Sequence, residues 1–252
     1  MITMTRKIYK QLLQLKQEGR KAFAVLIDPD DISTEQAAVL AQKCADAGVD
    51  YVLFGGSIMV SDHWDDCIRS FKTVSDIPVI LFPGSPAQVC KSADALLYLS
   101  LISGRNPDLL IGQHVISAPA IKASGLEVMA TGYMVIDGGV PTAVSYMSHS
   151  APLPHNKPEL ALCTAWAGEM QGKQLIYMDA GSGAKYPISP EMIKKVSDNI
   201  AIPLIIGGGI RDVAGLRTAL EAGAQVVVVG NAIEKNPDLI AEMSQATREY
   251  NL

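Results

Sequence analysis

Leu204-Ile205-Ile206-Gly207-Gly208-Gly209-Ile210-Arg211-Asp212 and Val226-Val227-Val228-Val229-Gly230-Asn231-Ala232 carry one pattern twice: a short apolar run, then glycine, then the start of a helix. An apolar run without polar alternation suits a strand covered on both faces, as in a parallel sheet. Between the two, residues 213–222 repeat apolar positions at helical spacing, and Gly223 follows where a left-handed residue would end the helix. The unit is strand, helix, parallel strand.

Towards the N-terminus the unit recurs. Apolar runs at 22–28, 51–54, 78–82, 95–99, 127–135 and 175–179 join 204–206 and 226–229 to make eight strands. Helical patterns at 35–47, 158–170 and 190–199 lie between them, and Gly48 ends the first. Eight alternations in 252 residues point to an α/β fold, a closed (β/α)8 TIM barrel, ahead of an open doubly wound sheet. An additional N-terminal helix is expected before the barrel, with Ile8, Leu12, Leu13 and Leu15 as its apolar face. Segment 148–158, with three prolines and two histidines, reads as a loop. No linker divides the chain, so 1–252 is expected to form one domain.

Composition narrows the partners. Hydrophobic residues make up 48% and aromatics 6%, which predicts a core of Val, Ile, Leu, Ala and Met. A net charge of −5 without a basic block argues against nucleic acid. It leaves an anionic ligand open, because backbone amides bind phosphate without a basic patch. Cys44, Cys67, Cys90 and Cys163 form no CxxC pair, so neither a disulfide nor a zinc site is expected, and the helical patterns around Cys44 and Cys163 predict small buried hydrophobes. No stretch approaches the roughly 20 apolar residues of a membrane span, and the N-terminus lacks a signal-like apolar region. A cytoplasmic protein is expected.

In barrels of this kind the chemistry sits at the C-terminal ends of the strands. There this sequence places Asp28-Pro29-Asp30-Asp31, Gly55-Gly56-Ser57, Tyr177-Met178-Asp179-Ala180-Gly181-Ser182-Gly183, Gly207-Gly208-Gly209 and Gly230-Asn231. Glycine lets backbone approach a ligand, and the loops after strands seven and eight commonly hold phosphate. Asp28 fits a Mg²⁺ ligand, a helix cap or a general base. Ser57 fits a phosphate donor, a metal ligand or a cap. Tyr177 and Asp179, two apart, share one side of a strand, offering a hydroxyl and a carboxylate. Asp30, Asp31 and Ser33 read as capping or solvated residues. His63, His114, His149 and His155 lack metal-ligand spacing, and no dinucleotide fingerprint, Walker loop or nucleophile elbow is present.

Taken in order, Leu26-Ile27-Asp28-Pro29-Asp30, Gly55-Gly56-Ser57, Tyr177 to Gly183, Gly207 to Arg211 and Val229-Gly230-Asn231 resemble the geranylgeranylglyceryl phosphate synthase family, including its bacterial heptaprenyl relatives. The resemblance runs from the first strand to the eighth. It implies a Mg²⁺-dependent prenyltransferase joining geranylgeranyl diphosphate to sn-glycerol 1-phosphate. It also implies metal positions at Asp28 and Ser57 and glycerol-phosphate contacts from Tyr177 through Gly183, Gly208, Gly209, Gly230 and Asn231. Asp179 would orient or deprotonate the glycerol 3-hydroxyl, with Tyr177 steadying the site. A homo-oligomer, dimer or hexamer, is implied as well, and transient contact with a membrane surface follows from a lipid substrate.

Two positions depart from the family pattern. Many archaeal members carry Glu where this chain has Asp179. The heptaprenyl branch carries Lys where it has Leu26, which leans the chain towards the geranylgeranyl branch. Leu96, Leu97, Tyr98, Leu99, Leu101, Ile102, Met129, Tyr133 and Val135 are the expected lining of a prenyl groove, or ordinary core. The competing readings are another phosphate-binding barrel enzyme (a phosphosugar isomerase, synthase or cyclase) and a non-catalytic phosphate-ligand sensor.

Overall fold

In the computed structural model, which describes residues 7–252, the eight expected strands form and pair in chain order until the last meets the first. They are β1 (Ala22–Ile27), β2 (Tyr51–Phe54), β3 (Val79–Leu81), β4 (Ala95–Leu101), β5 (Glu127–Val135), β6 (Leu175–Asp179), β7 (Leu204–Gly207) and β8 (Val226–Val229). Every pair is parallel, and Val25 opposite Val229 closes the ring, which excludes the open sheet. Asp28 lies one residue beyond β1, where it is released into the loop, and β4 runs two residues further than its apolar run suggests.

Alternation along each strand divides the apolar side chains into two layers. Inward residues such as Ala24, Leu53, Leu97, Tyr177 and Val228 fill the barrel. Outward ones such as Phe23, Val25, Phe54, Ile176 and Met178 pack under the helices. Both layers are buried, which is why the strands read as unbroken apolar runs. Phe54 meets Phe71 of α3 (Trp64–Val74) edge to face, with ring centroids 5.7 Å apart.

The helices start and stop where local chemistry directs. Ser33 caps α2 (Thr34–Ala47) through a reciprocal hydrogen-bond pair with Gln36, and Gly48 ends it at φ 71°. The additional helix is α1 (Lys7–Gln17), which lays Ile8 and Leu12 into the barrel's inner layer. Leu15 packs beside them, whereas Leu13 falls off that face. Buried Glu127, at the start of β5, accepts from the amides of Ile8 at 2.9 Å and Tyr9 at 2.7 Å. One carboxylate thus satisfies two first-turn donors of α1 and fixes the plug.

The alternation fails at one place. Each connection between successive strands carries a helix except β3 to β4. Pro83, Gly84 and Pro86 oppose a helix there, and Gln88 folds the loop by accepting from Gly84 N at 2.6 Å. On the other side, β4 is followed by a π-helical turn (Asp108–Gly112) leading into α4 (Gln113–Ser124). The ring continues through α5 (Ala143–Met147), α6 (Pro158–Met170), α7 (Pro190–Ser197), α8 (Val213–Glu221), α9 (Asn231–Lys235) and α10 (Leu239–Tyr250). The loop expected at 148–158 separates α5 from α6. Cys44 is buried as expected, but Cys163 is exposed, because α6 turns Ala161, Leu162 and Ala165 inward instead.

Replacing Glu127 by Ala leaves two amides of α1 without their acceptor. Chemical denaturation is expected to register a loss on the order of 2–3 kcal/mol.

Candidate active site

A cavity of about 1330 Å³ opens at the C-terminal end of the barrel. At its polar end stand Asp28, Ser57, Asp179, Ser182, Gly208 and Asn231, contributed by the loops after five different strands. Its apolar branch leaves through the gap where the β3–β4 helix is missing, between the outer face of β4 and α4. Leu96, Tyr98, Leu109 and Ile121 line that branch. Of the expected groove residues, Leu97, Leu99, Leu101 and Tyr133 also line the cavity, whereas Met129, Val135 and Ile102 do not. Met129 and Val135 belong to the barrel interior, and Ile102 wedges between Gly132 of β5 and Gly168 of α6.

Strand alternation turns Tyr177 and Asp179 inward together, while Met178 joins the layer beneath the helices. Met178, Ala180 and Gly181 are buried and do not line the cavity. Asp179 Oδ2 accepts from Tyr133 Oη at 2.7 Å, and Oδ1 accepts from Gly181 N at 2.7 Å. Burial raises the Asp179 pKa, and those two donors oppose the rise by favouring the carboxylate. The hydrogen bond that steadies Asp179 therefore comes from Tyr133, opposite Tyr177 in the β5–β6 register. Tyr177 lies stacked on Phe82, centroids 5.0 Å apart, and edge-on to Tyr133 at 5.7 Å. Burial first, then the Asp179 charge, pushes both phenols well above their ordinary range, so both are neutral hydroxyls.

The glycine loops explain how the polar end is assembled. Gly208 has φ 80°, and a Cβ there would sit 2.6 Å from Asp179 Oδ1 and from Gly181 N. Only glycine lets the β7 loop cross so near the carboxylate. The amides of Gly208 and Gly209 donate to no group among the described residues, and both glycines line the cavity. Ser182 Oγ donates to Asn231 Oδ1 at 3.0 Å, tying the β6 loop to the start of α9. Arg211 Nη2 donates to Ala184 O at 2.8 Å and braces the same loop from β7. These groups surround a space suited to a phosphate.

Opposite lies an acidic edge. Asp28 Oδ1 accepts from Asp30 N at 3.1 Å, and a Cβ on Gly56 would lie 2.4 Å from Oδ2, so the β2 loop passes directly over this carboxylate. Burial first, then the charges of Asp31 and Asp30, raises the Asp28 pKa against that hydrogen bond. Asp30 instead serves the loop, accepting from Val60 N and Ser61 N at 2.8 and 2.9 Å. Ser57, half-buried, follows Gly56 along the cavity wall.

Sequence reasoning missed Glu234, which lines the same cavity and whose pKa is raised by burial and then by Asp31 and Asp28. Phe82 was also missed, and Tyr133 is expected from sequence only as groove lining. Strand parity places Tyr133 inside the barrel, but its pairing with Asp179 needs the β5–β6 register. His63, His149 and His155 take no part in the polar end, and His114 lines the apolar branch.

The PcrB family model matches residues 14–247. A geranylgeranylglyceryl phosphate synthase of Chitinophaga pinensis is 56% identical over 243 residues, covering 96% of each chain. One of Spirosoma linguale is 52% identical over 240 residues, covering 95% of this chain and 96% of the relative. Among solved structures, the (S)-3-O-geranylgeranylglyceryl phosphate synthase of Thermoplasma acidophilum in complex with sn-glycerol-1-phosphate superposes with a TM-score of 0.90. It is 28% identical, covering 96% of this chain and 98% of that one. The chain belongs to the PcrB family, that of the geranylgeranylglyceryl phosphate synthases.

Proposed function

We propose that the protein transfers a geranylgeranyl group from its diphosphate to the 3-hydroxyl of sn-glycerol 1-phosphate, forming an ether and releasing diphosphate. The observation that carries this reading is one continuous cavity. It joins a cradle of glycine amides and a buried carboxylate to an apolar branch opened by the missing β3–β4 helix. A phosphosugar enzyme or a phosphate sensor has no use for that branch. The names of the relatives, and the glycerol phosphate bound in the Thermoplasma acidophilum structure, support the same reading.

In this reading the phosphate of the acceptor lies against the amides of Gly208, Gly209 and Asn231, with Ser182 and Gly183 closing over it. The 3-hydroxyl then lies at Asp179. As the prenyl C1–O bond to diphosphate breaks, the hydroxyl oxygen bonds to C1 and its proton passes to the Asp179 carboxylate. Tyr133 and the Gly181 amide hold that carboxylate in place, and the remaining lone pairs of its oxygens face the acceptor. Tyr177 and Phe82 floor the site with apolar surface that keeps water from the allylic carbon.

Asp28 and Ser57 would hold a Mg²⁺. Asp28 Oδ2 has no donor among the described residues, and Asp31 and Glu234 add negative charge that a dication would offset. Both are oxygen ligands, the kind that Mg²⁺ takes alongside substrate phosphate. Such an ion would supply positive charge to offset that of the departing diphosphate. The reading extends to a cytoplasmic homo-oligomer, dimer or hexamer, that meets a membrane surface transiently through its lipid substrate. Among the described residues no helix is long and apolar enough to cross a membrane.

Labelled glycerol 1-phosphate, Mg²⁺ and prenyl diphosphates of increasing length test the reaction directly. A labelled geranylgeranyl ether is expected, and its absence with every donor sinks the proposal. Asp179→Asn is expected to lower kcat by about 10²–10⁴-fold while equilibrium binding of glycerol 1-phosphate persists. Because burial raises the Asp179 pKa, kcat/KM should fall with decreasing pH above the ordinary carboxylate range. Tyr133→Phe removes a donor that favours the ionised form, so the acid limb of that profile should move to still higher pH.

A further inference from the structure

Behind the apolar branch runs a polar chain, buried at Ser100 and His114 and half-buried at Lys173, that the reaction described above does not use. Lys173 Nζ donates to Ser100 Oγ at 2.6 Å, and Ser100 Oγ lies 3.0 Å from His114 Nε2. An ammonium can only donate, so Ser100 Oγ accepts from Lys173 and uses its remaining capacity on the imidazole. No carboxylate among the described residues lies within ion-pair distance of Lys173, whose pKa is lowered by burial alone. A half-buried cation that gives its hydrogen bond to a neutral hydroxyl contributes little as a stabilising ion pair, and its position needs another explanation.

Two glycines lie beside the path of Lys173. The positions where Gly132 of β5 and Gly168 of α6 would carry a Cβ both lie 3.6 Å from Lys173 Cγ, and closer still to Ile102 and Ile176. A side chain at either position would displace Ile102 and Ile176, while its Cβ would stand in ordinary van der Waals contact with the stem that reaches up to Ser100. At the far end, Tyr98 Oη donates to His114 O at 2.7 Å, and the two rings meet edge to face at 4.6 Å. Tyr98 and His114 line the cavity, while Ser100 and Lys173 stand behind it. Helix α4 buries only His114, Ser117 and Ile121, a sparse set for a helix on a barrel.

That sparseness follows from the groove. Where apolar surfaces face each other across a gap, packing draws them together until the gap is filled. A hydrogen bond instead sets a distance. We propose that Lys173 and Ser100 are positioning residues for the prenyl donor: through His114 they hold α4 at the separation from β4 that keeps the apolar branch open. The inference rests on the prenyl-transfer reading and assigns a role within it to residues outside the polar end.

The test compares wild type with Lys173→Met, which keeps the stem and removes the donor, and with Ser100→Ala, which breaks the chain at its middle. Three quantities are read on folded, Mg²⁺-supplied enzyme: steady-state constants for geranylgeranyl diphosphate, equilibrium binding of that diphosphate and of glycerol 1-phosphate, and the NMR titration of the His114 ring. Both variants should raise the KM and Kd for the prenyl donor by about tenfold, with kcat and glycerol phosphate binding held within about twofold.

Lys173 is the charged group facing His114, and Tyr98 and Ser100 from β4 are neutral. The ring should therefore titrate at higher pH in Lys173→Met than in wild type, since burial and then the Lys173 charge depress it. Unchanged donor KM and Kd in both variants, or a fall in kcat alone, overturns the positioning role. If wild type transfers no prenyl group at all, the reaction reading fails separately, and the positioning role stands or falls on donor binding and the His114 titration.

Discussion

The rest of the molecule depends on strand alternation inside a closed ring. In a parallel barrel with no edges, each residue of a strand faces either the interior or the helices, and its neighbour faces the other way. On β6 this rule sends Tyr177 and Asp179 inward and Ile176 and Met178 outward. An inward carboxylate at the last position of a strand emerges at the barrel mouth while remaining almost wholly buried. The same parity on β5 sends Tyr133 inward, and the β5–β6 register then brings its hydroxyl to Asp179. A one-residue slip would replace both by apolar neighbours. Closure prevents that slip, because all eight registers are coupled around the ring.

Burial of a carboxylate carries an energetic cost that must be offset locally. At Asp179 the offset comes from a phenol and a backbone amide, and no Lys or Arg among the described residues pairs with it. Glu127 at the opposite end meets the same problem differently, by accepting from two amides at the start of α1. One buried carboxylate thus closes the bottom of the barrel, and the other equips the top. Asp28 differs from both, since it keeps an oxygen without a protein donor beside further acidic groups, which suits it to a metal.

The functional opening arises from something the fold omits. A (β/α)8 barrel normally covers each strand with a helix, and such a barrel would confine its ligand to the mouth. Here Pro83, Gly84 and Pro86 turn the β3–β4 connection into a loop, and the outer face of β4 is left to form the wall of a groove. Tyr98 shows the consequence, since it points away from the barrel interior yet lines the cavity. Polar pins between β4 and α4 replace the close apolar packing found around the rest of the ring.

Much of this was legible in the residues. The eight apolar runs located the strands because a strand buried on both faces has no polar alternation to disguise it. The glycine run after β7 marked a loop that passes close to another, because only glycine tolerates both the positive φ and the close approach found at Gly208. The spacing of Tyr177 and Asp179 placed them on one side of a strand. Cys163 misled, because a helical stripe in α6 does not by itself reveal which side faces inward.

What local pattern could not supply was pairing across the chain. The Tyr133 bond to Asp179, the placing of Glu234 and Asp28 along one cavity, and the line from Lys173 through Ser100 to His114 each bring together residues from different strands, loops or helices. Their meeting is decided by register, closure and loop path. The order of amino acids alone thus determined the element types, the barrel and the end at which polar and glycine residues gather, since these follow from short-range spacing and backbone preference. Only the tertiary structure decided which hydroxyl holds the carboxylate and where the apolar branch runs, because hydrogen bonds and cavities depend on distances that sequence separation does not encode.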